Sequence, residues 1–230
     1  MIKDDTPSNL SAEIFAELKN RIIHWEYLPN HRFTEIALSE EFGVSRSPIR
    51  EVLQMLEENG LVKKIPRLGY TVHQPDLSEI IELYDFRLAL ELFIVENLAE
   101  QGMDEEMWEE LHDYWYQCLN CLPEIDKNIT IRDEAYHEEL AKSFGNFIFL
   151  EKLKEVNERI HFIRMNDITT PDRLELTCKQ HLMILTAIKQ RDVELARTTI
   201  MQNIQDGRLN VDQAIKEALS KKFFNNIEMS

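Results

Sequence analysis

The chain has 230 residues, of which 43% are hydrophobic and 30% charged, with a net charge of −16. That is the composition of a folded globular protein with room for two modest domains, and its acidity excludes a protein that coats nucleic acid through bulk charge. The longest apolar runs, such as 147–150, are far too short to span a membrane. The N-terminal stretch shows no apolar signal segment, and three cysteines do not make a disulfide framework, so the expectation is a cytoplasmic protein with no membrane partner.

In chain order, the first helix spans 9–25, with Ile14, Leu18, Ile22 and Trp25 on one apolar stripe. The segment 27–30 breaks it at Pro29, and Thr34 caps a second helix that closes at Phe42. Gly43 supplies the corner, because a glycine takes the left-handed conformation a tight helix–helix turn needs. A third helix follows over 45–59. Ser45 and Ser47 are suitable N-caps, Pro48 suits a first turn, and Ile49, Val52, Leu53 and Leu56 form a buried stripe. Arg46 and Arg50 lie one turn apart at the front of this helix, where cations oppose the helix dipole. A recognition helix that points its first turns at base edges and phosphates explains them. Two short extended stretches, 61–65 and 70–73, flank Pro66-Arg67-Leu68-Gly69 and read as a β-hairpin wing with Arg67 near its tip. Residues 46–67 hold five basic and three acidic side chains, while most of the acidic excess lies beyond residue 75. A local basic face on an acidic protein fits specific, salt-sensitive DNA contact.

The run Val44-Ser45-Arg46-Ser47-Pro48-Ile49-Arg50-Glu51-Val52-Leu53, followed by Leu56, Gly60-Leu61-Val62 and Gly69, resembles the DNA-binding domain of the GntR superfamily of bacterial transcription regulators. The resemblance implies a winged helix-turn-helix that contacts double-stranded operator DNA through Arg46, Ser47, Arg50, Arg67 and Gly69. Related proteins often carry a second basic residue just before the wing glycine. Leu68 stands there instead, which implies a weaker or different wing contact.

The linker falls at 74–78, dividing a domain 1–75 from a domain 76–230. No strand pattern follows it. Six helices are expected, at 77–100, 104–121, 128–144, 147–168, 172–190 and 193 to about 223, with a frayed tail over 223–230. The fold class is therefore mostly α: a winged helix with a small hairpin, then an all-helical antiparallel bundle. Such a bundle after a winged helix resembles the FadR-type branch of the superfamily. Its marks here are Arg87-x-x-x-Glu91, Asp133-x-x-x-His137, Ser143-x-x-Asn146 and His181 followed by Ile184 and Ala187. Cys118 and Cys121 form a CxxC that no second pair completes, and they read as reduced thiols on a helix.

Two constellations carry chemistry in the second domain. Arg87 and Glu91 fall within an apolar helical stripe, where a charge is costly unless paired. They form either an i,i+4 ion pair at the bundle surface or a clamp in which Arg87 forks onto a carboxylate ligand. The resemblance implies the clamp, with Arg87, Glu91 and Asn146 as effector-binding residues. The second constellation is Asp133 and His137 on one helix, His181 on another and Asn203 on the last. One carboxylate and two imidazoles suit a divalent transition metal with open positions; a hydrogen-bonded polar core without metal is the alternative. The resemblance implies Zn, Ni or Mn held by an Asp and three His, and this chain departs from it by carrying Asn at position 203. Metal occupancy is expected to fall as pH drops through about 6.5, the ordinary histidine range.

The resulting expectation is a non-enzymatic, homodimeric transcription regulator that binds a small organic-acid effector. A metal-dependent hydrolase of helical-bundle type is the alternative, since a carboxylate–histidine metal centre activates water. No further acid/base motif or phosphate loop supports it.

Overall fold

The computed structural model of the chain describes residues 9–74, 76–165 and 167–209. They fall into two compact units that divide between Asp76 and Leu77.

The first unit runs α1 (Asn9–Ile23), β1 (Arg32–Phe33), α2 (Glu35–Phe42), α3 (Arg46–Glu58), β2 (Val62–Ile65) and β3 (Gly69–Val72). Of the expected caps, Thr34 and Gly43 act as such, while Ser47 lies within the first turn of the third helix. The Ala37 amide donates to Thr34 Oγ1 at 3.1 Å, and Gly43 takes a left-handed φ of 66° to end α2. Ser45 occupies the N-cap of α3 with extended backbone but makes no side-chain cap bond. Ile49, Val52, Leu53 and Leu56 are fully buried against Ile14, Leu18 and Ile22 of α1 and Leu38 of α2. Each such side chain contributes ~1.5–3 kcal/mol by leaving water. Glu51, in the motif between Arg50 and Val52, ties these helices together by accepting from Ser11 Oγ at 2.6 Å.

Two details differ from the sequence expectation. Helix α1 ends at Ile23 rather than at Trp25, because Trp25 turns to a φ of 56° and donates its amide to the Ile22 carbonyl while its side chain stays buried. The wing also gains a strand. Strand β1, two residues long and too short to show any periodicity, pairs antiparallel with β3, giving the order β1-β3-β2. This pairing accounts for Gly69. Its φ is 95°, and a Cβ there would collide with the Phe33 carbonyl.

The second unit comprises α4 (Leu77–Gln101), α5 (Glu105–Asn120), α6 (Lys127–Phe144), α7 (Phe147–Arg164), α8 (Pro171–Gln190) and α9 (Val193–Leu209). No strand occurs among its described residues. Asp104, Asp126, Asn146 and Thr170 cap the N-termini of α5, α6, α7 and α8, with Pro171 in the first turn of α8. Helix α4 is central and packs on α6, α7, α8 and α9, while α5 covers α8. It is apolar on most sides for that reason: Ile80, Leu83, Tyr84, Ile94, Val95 and Leu98 are all buried. Helix α7 stops at Arg164, short of the expected 168. The expected continuation of the last helix beyond Leu209 and the tail 223–230 lie outside the described residues. The CxxC does not act as a pair. Cys118 is buried with its Sγ 3.4 Å from that of Cys178, whereas Cys121 is exposed; all three are free thiols. No helix among the described residues is long and apolar enough to cross a membrane.

Candidate nucleic-acid interface and metal centre

The front of α3 leaves Arg46, Ser47 and Arg50 exposed, and Arg67 is exposed at the wing tip with a left-handed φ of 66°. Arg50 is not wholly free: its Nε donates to Glu35 Oε2 at 2.7 Å, across the α2–α3 corner. The arginine side chain is still 63% exposed, so the pair adds little stability but gives the guanidinium a preferred direction. Leu68, beside Arg67, is exposed at the same tip. Lys63 and Lys64 are both exposed on β2, two further cations that sequence reading did not single out.

In the second unit, α6 presents Asp133 and His137 one turn apart, and α8 brings His181 to meet them. The three offer ligand atoms within 4.8 Å of one another. Asp133 Oδ1 lies 3.9 Å from His137 Nε2 and 3.3 Å from His181 Nε2. Each of the first two is held from behind. Arg164 of α7 donates Nη2 to Asp133 Oδ2 at 2.8 Å, leaving Oδ1 facing the imidazoles. Glu91 of α4 pairs through Oε2 with His137 Nδ1. His181 is placed by packing: Tyr136 stacks on its ring at 3.8 Å, and Trp115 meets it edge-on at 4.3 Å. Both ring nitrogens of His181 are buried without a hydrogen-bond partner, since the approach to Asp133 is not aligned for one.

The Arg87–Glu91 pair, for which a place at the bundle surface was one reading, is buried. Its two side chains are 4% and 3% exposed, and Arg87 Nε donates to Glu91 Oε1 at 2.6 Å. Arg87 Nη2 is buried and has no partner. Glu91 thus joins Arg87 to His137. The other expected residues make hydrogen bonds of their own. Asn203 is buried and donates Nδ2 to Gln180 Oε1 at 3.0 Å, and Gln180 in turn donates to Asp206. Asn146 is exposed and accepts the Ile148 amide at 3.0 Å as the cap of α7. That bond gives it a structural task apart from the cluster.

Sequence reading missed Arg164, which also donates Nη1 to Asn157 Oδ1 at 2.7 Å. It missed His161 too, whose Nδ1 pairs with Glu134 Oε2 at 3.0 Å. The signal was available. Asn157, His161 and Arg164 recur at helical spacing along the buried side of α7, beside Val156, Ile160 and Ile163.

Charge follows from this packing. Burial pushes the His181 imidazole down from 6.5 to about 4 and lowers that of His137 as well, so both rings are neutral lone-pair donors near neutral pH. Burial also opposes ionisation of Asp133, but His181, Arg164 and His137 more than offset it and hold the carboxyl well below its ordinary range. For Glu91 the same contest, won by Arg87 and His137 over burial, leaves the carboxyl at about 2. A neutral His pair beside an ionised carboxylate is a donor set that fits a divalent metal.

A winged helix followed by an all-helical sensor-like unit defines a class of DNA-reading regulator, and comparison with known proteins agrees. Residues 10–72 match the bacterial regulatory proteins of the gntR family, and residues 82–206, more than half of the chain, match the FCD domain. The chain therefore belongs to the GntR family of transcription regulators, in the FadR-type branch that carries an FCD domain. The "Uncharacterized HTH-type transcriptional regulator YdhC" of Bacillus subtilis is 28% identical across 94% of this chain and 96% of that protein. The "Gluconate operon transcriptional repressor" of Bacillus licheniformis is 27% identical over 86% and 84% respectively. Among solved structures, E. coli McbR/YncC superposes with a TM-score of 0.69 at 20% identity, covering 90% of this chain and 98% of that one. A putative GntR regulator from Rhodococcus sp. RHA1 gives 0.70 at 20%, with coverages of 90% and 99%. These two share the fold. The families and relatives are regulators, not enzymes, and nothing supports the hydrolase alternative.

Proposed function

We propose that this regulator works in the cytoplasm as a homodimer on operator DNA, and that its FCD domain senses a small organic acid through a divalent metal, Zn, Ni or Mn. Residues 1–75 read DNA, with Arg46, Ser47, Arg50, Arg67 and Gly69 at the interface. Residues 76–230 dimerise and bind the effector. Asp133, His137 and His181 hold the metal, and Asn203 either adds its amide oxygen or leaves that position to water. Arg87 takes the effector carboxylate, with Glu91 behind it.

One observation carries the sensor reading: His181 Nε2 and Nδ1 and Arg87 Nη2 are all buried without an aligned hydrogen bond, Nε2 having only the Asp133 carboxylate 3.3 Å away. Each such atom costs ~1–3 kcal/mol if nothing satisfies it. A self-satisfied polar core, the alternative weighed on the sequence, leaves no such atoms. A metal takes a ring lone pair and an anion takes the guanidinium N–H. One relative is named for the gluconate operon, which is in keeping with an organic acid as signal. Two copies follow from DNA geometry, since two half-sites about one helical turn apart need two recognition helices. The effector then shifts the population between arrangements with well-spaced and badly spaced recognition helices, and a coupling of ~1–3 kcal/mol changes operator affinity 5–150-fold.

The test is elemental analysis of protein purified without chelator or affinity-column metal, followed by thermal-shift screening of organic acids with and without Zn, Ni or Mn. The expected result is bound metal and an acid-dependent shift that Arg87→Met abolishes. Absence of metal, with a melting temperature unmoved by added Zn, Ni or Mn, overturns the metal reading.

A further inference from the structure

Glu91 has two oxygens and spends each on a different binding group. Oε1 accepts Arg87 Nε at 2.6 Å, and Oε2 accepts His137 Nδ1. The consequence for His137 is a fixed tautomer. With Nδ1–H donated to a carboxylate, the lone pair sits on Nε2, the nitrogen that faces Asp133 Oδ1. The consequence for Arg87 is a fixed fork. Its Nε is committed and its Nη2 remains buried and unpartnered, ready for an anion. Glu91 itself is 3% exposed, so no water competes for its oxygens.

We infer that Glu91 is a positioning residue shared by the two halves of the sensor site: one carboxylate orients His137 for the metal and Arg87 for the anion. This rests on the metal reading above and adds the residue that orients both binding groups. A cation held by His137 Nε2 would polarise the ring, and the Glu91 carboxylate behind Nδ1–H would support that charge. Glu91 therefore acts behind both ligands, a role distinct from the direct effector contact expected from the sequence.

The experiment compares Zn affinity, with Zn alone as the probe, in three full-length proteins: wild type, Arg87→Met, and the double variant Arg87→Met/Glu91→Gln. The double variant avoids an unpaired buried arginine, and glutamine still accepts the Nδ1–H bond, so the two variants differ only in the charge behind His137. Zn affinity is expected to fall about 10–100-fold from Arg87→Met to the double variant. Imidazole 15N shifts of the metal-free wild type are expected to show His137 protonated at Nδ1. A purely structural role for Glu91 leaves the Zn affinity of the two variants equal or places the proton on Nε2, and either result overturns the inference while the metal reading stands. Failure of the wild type to bind Zn removes the metal reading and this inference with it. If neither variant folds, Glu91→Asp, which keeps the charge but shortens the reach to His137, is measured instead and is expected to weaken Zn binding.

Discussion

His181 shows what a single buried residue does to the behaviour of the whole domain. Its folded-state pKa is about 4 against 6.5 unfolded, because burial disfavours the imidazolium. Between those values the unfolded chain binds the proton that the folded chain refuses, so stability rises with pH across that window. Metal-free protein is therefore expected to be most stable above about 6.5 and to lose stability progressively as pH falls towards 4. Glu91, held at about 2 against an ordinary 4.5, adds a further loss below 4.5 in the same direction. Urea unfolding at a series of pH values from 7.5 to 4 checks this, and His181→Phe should flatten the upper part of the profile. The same burial corrects the sequence expectation for the metal. With the His181 ring neutral down to about 4 and the His137 ring lowered as well, protons compete less, so occupancy should persist to lower pH than an ordinary histidine site allows. At the DNA end, Arg50→Ala should weaken operator binding by ~1–3 kcal/mol if the guanidinium reads a base. Its exposed pair with Glu35 adds little to stability, so the melting temperature should not move.

Among the elements, the wing is where local geometry and DNA contact are easiest to confuse. Gly69 is in the family motif beside Arg67, which invites a purely DNA-facing explanation. Its φ of 95° and the Phe33 carbonyl standing where a Cβ would go show a structural one. Gly69→Ala should lower the stability of the first unit by about 1–3 kcal/mol, the cost of one strained backbone position, and loosen β1 from β3. A variant that melts like wild type yet loses operator binding would reverse that account. This case also marks the limit of what the sequence discloses. Helices α2 to α9 begin or end near the expected places because Thr34, Gly43, Asp104, Gly145 and Pro171 are local punctuation. Asp133 and His137 were readable as a pair because i,i+4 spacing on one helix is fixed by geometry. The partners behind them were not. Glu91 meets His137 from a helix 46 residues away in sequence, and Arg164 reaches Asp133 across 31. Such contacts are set by how helices pack, which no local pattern records. Strand β1 escaped notice for the same reason, since its identity lies in its pairing with β3.

For the molecule as a whole, the charge distribution makes a quantitative demand. A chain of net charge −16 has to meet DNA through local cations, and Arg46, Arg50, Lys63, Lys64 and Arg67 are all exposed on the proposed reading unit. Binding therefore depends on a few phosphate contacts and the counterions they release, with log K falling by about 0.9 per log unit of salt for each phosphate neutralised. In a homodimer every such contact occurs twice on one operator. Removing a single phosphate-contacting side chain from the chain should then lower the salt slope by about two, against about one for a lone copy. Arg67 is the residue to change, because it is exposed at the wing tip. Asn is the replacement to use, because it tolerates the left-handed backbone found there. Fluorescence anisotropy with DNA from upstream of the gene, titrated at several salt concentrations, gives the slope for wild type and Arg67→Asn. A drop of about two supports two wings on one operator. A drop of about one assigns a single copy to each operator and removes the homodimer, and an unchanged slope removes Arg67 from the phosphate contacts.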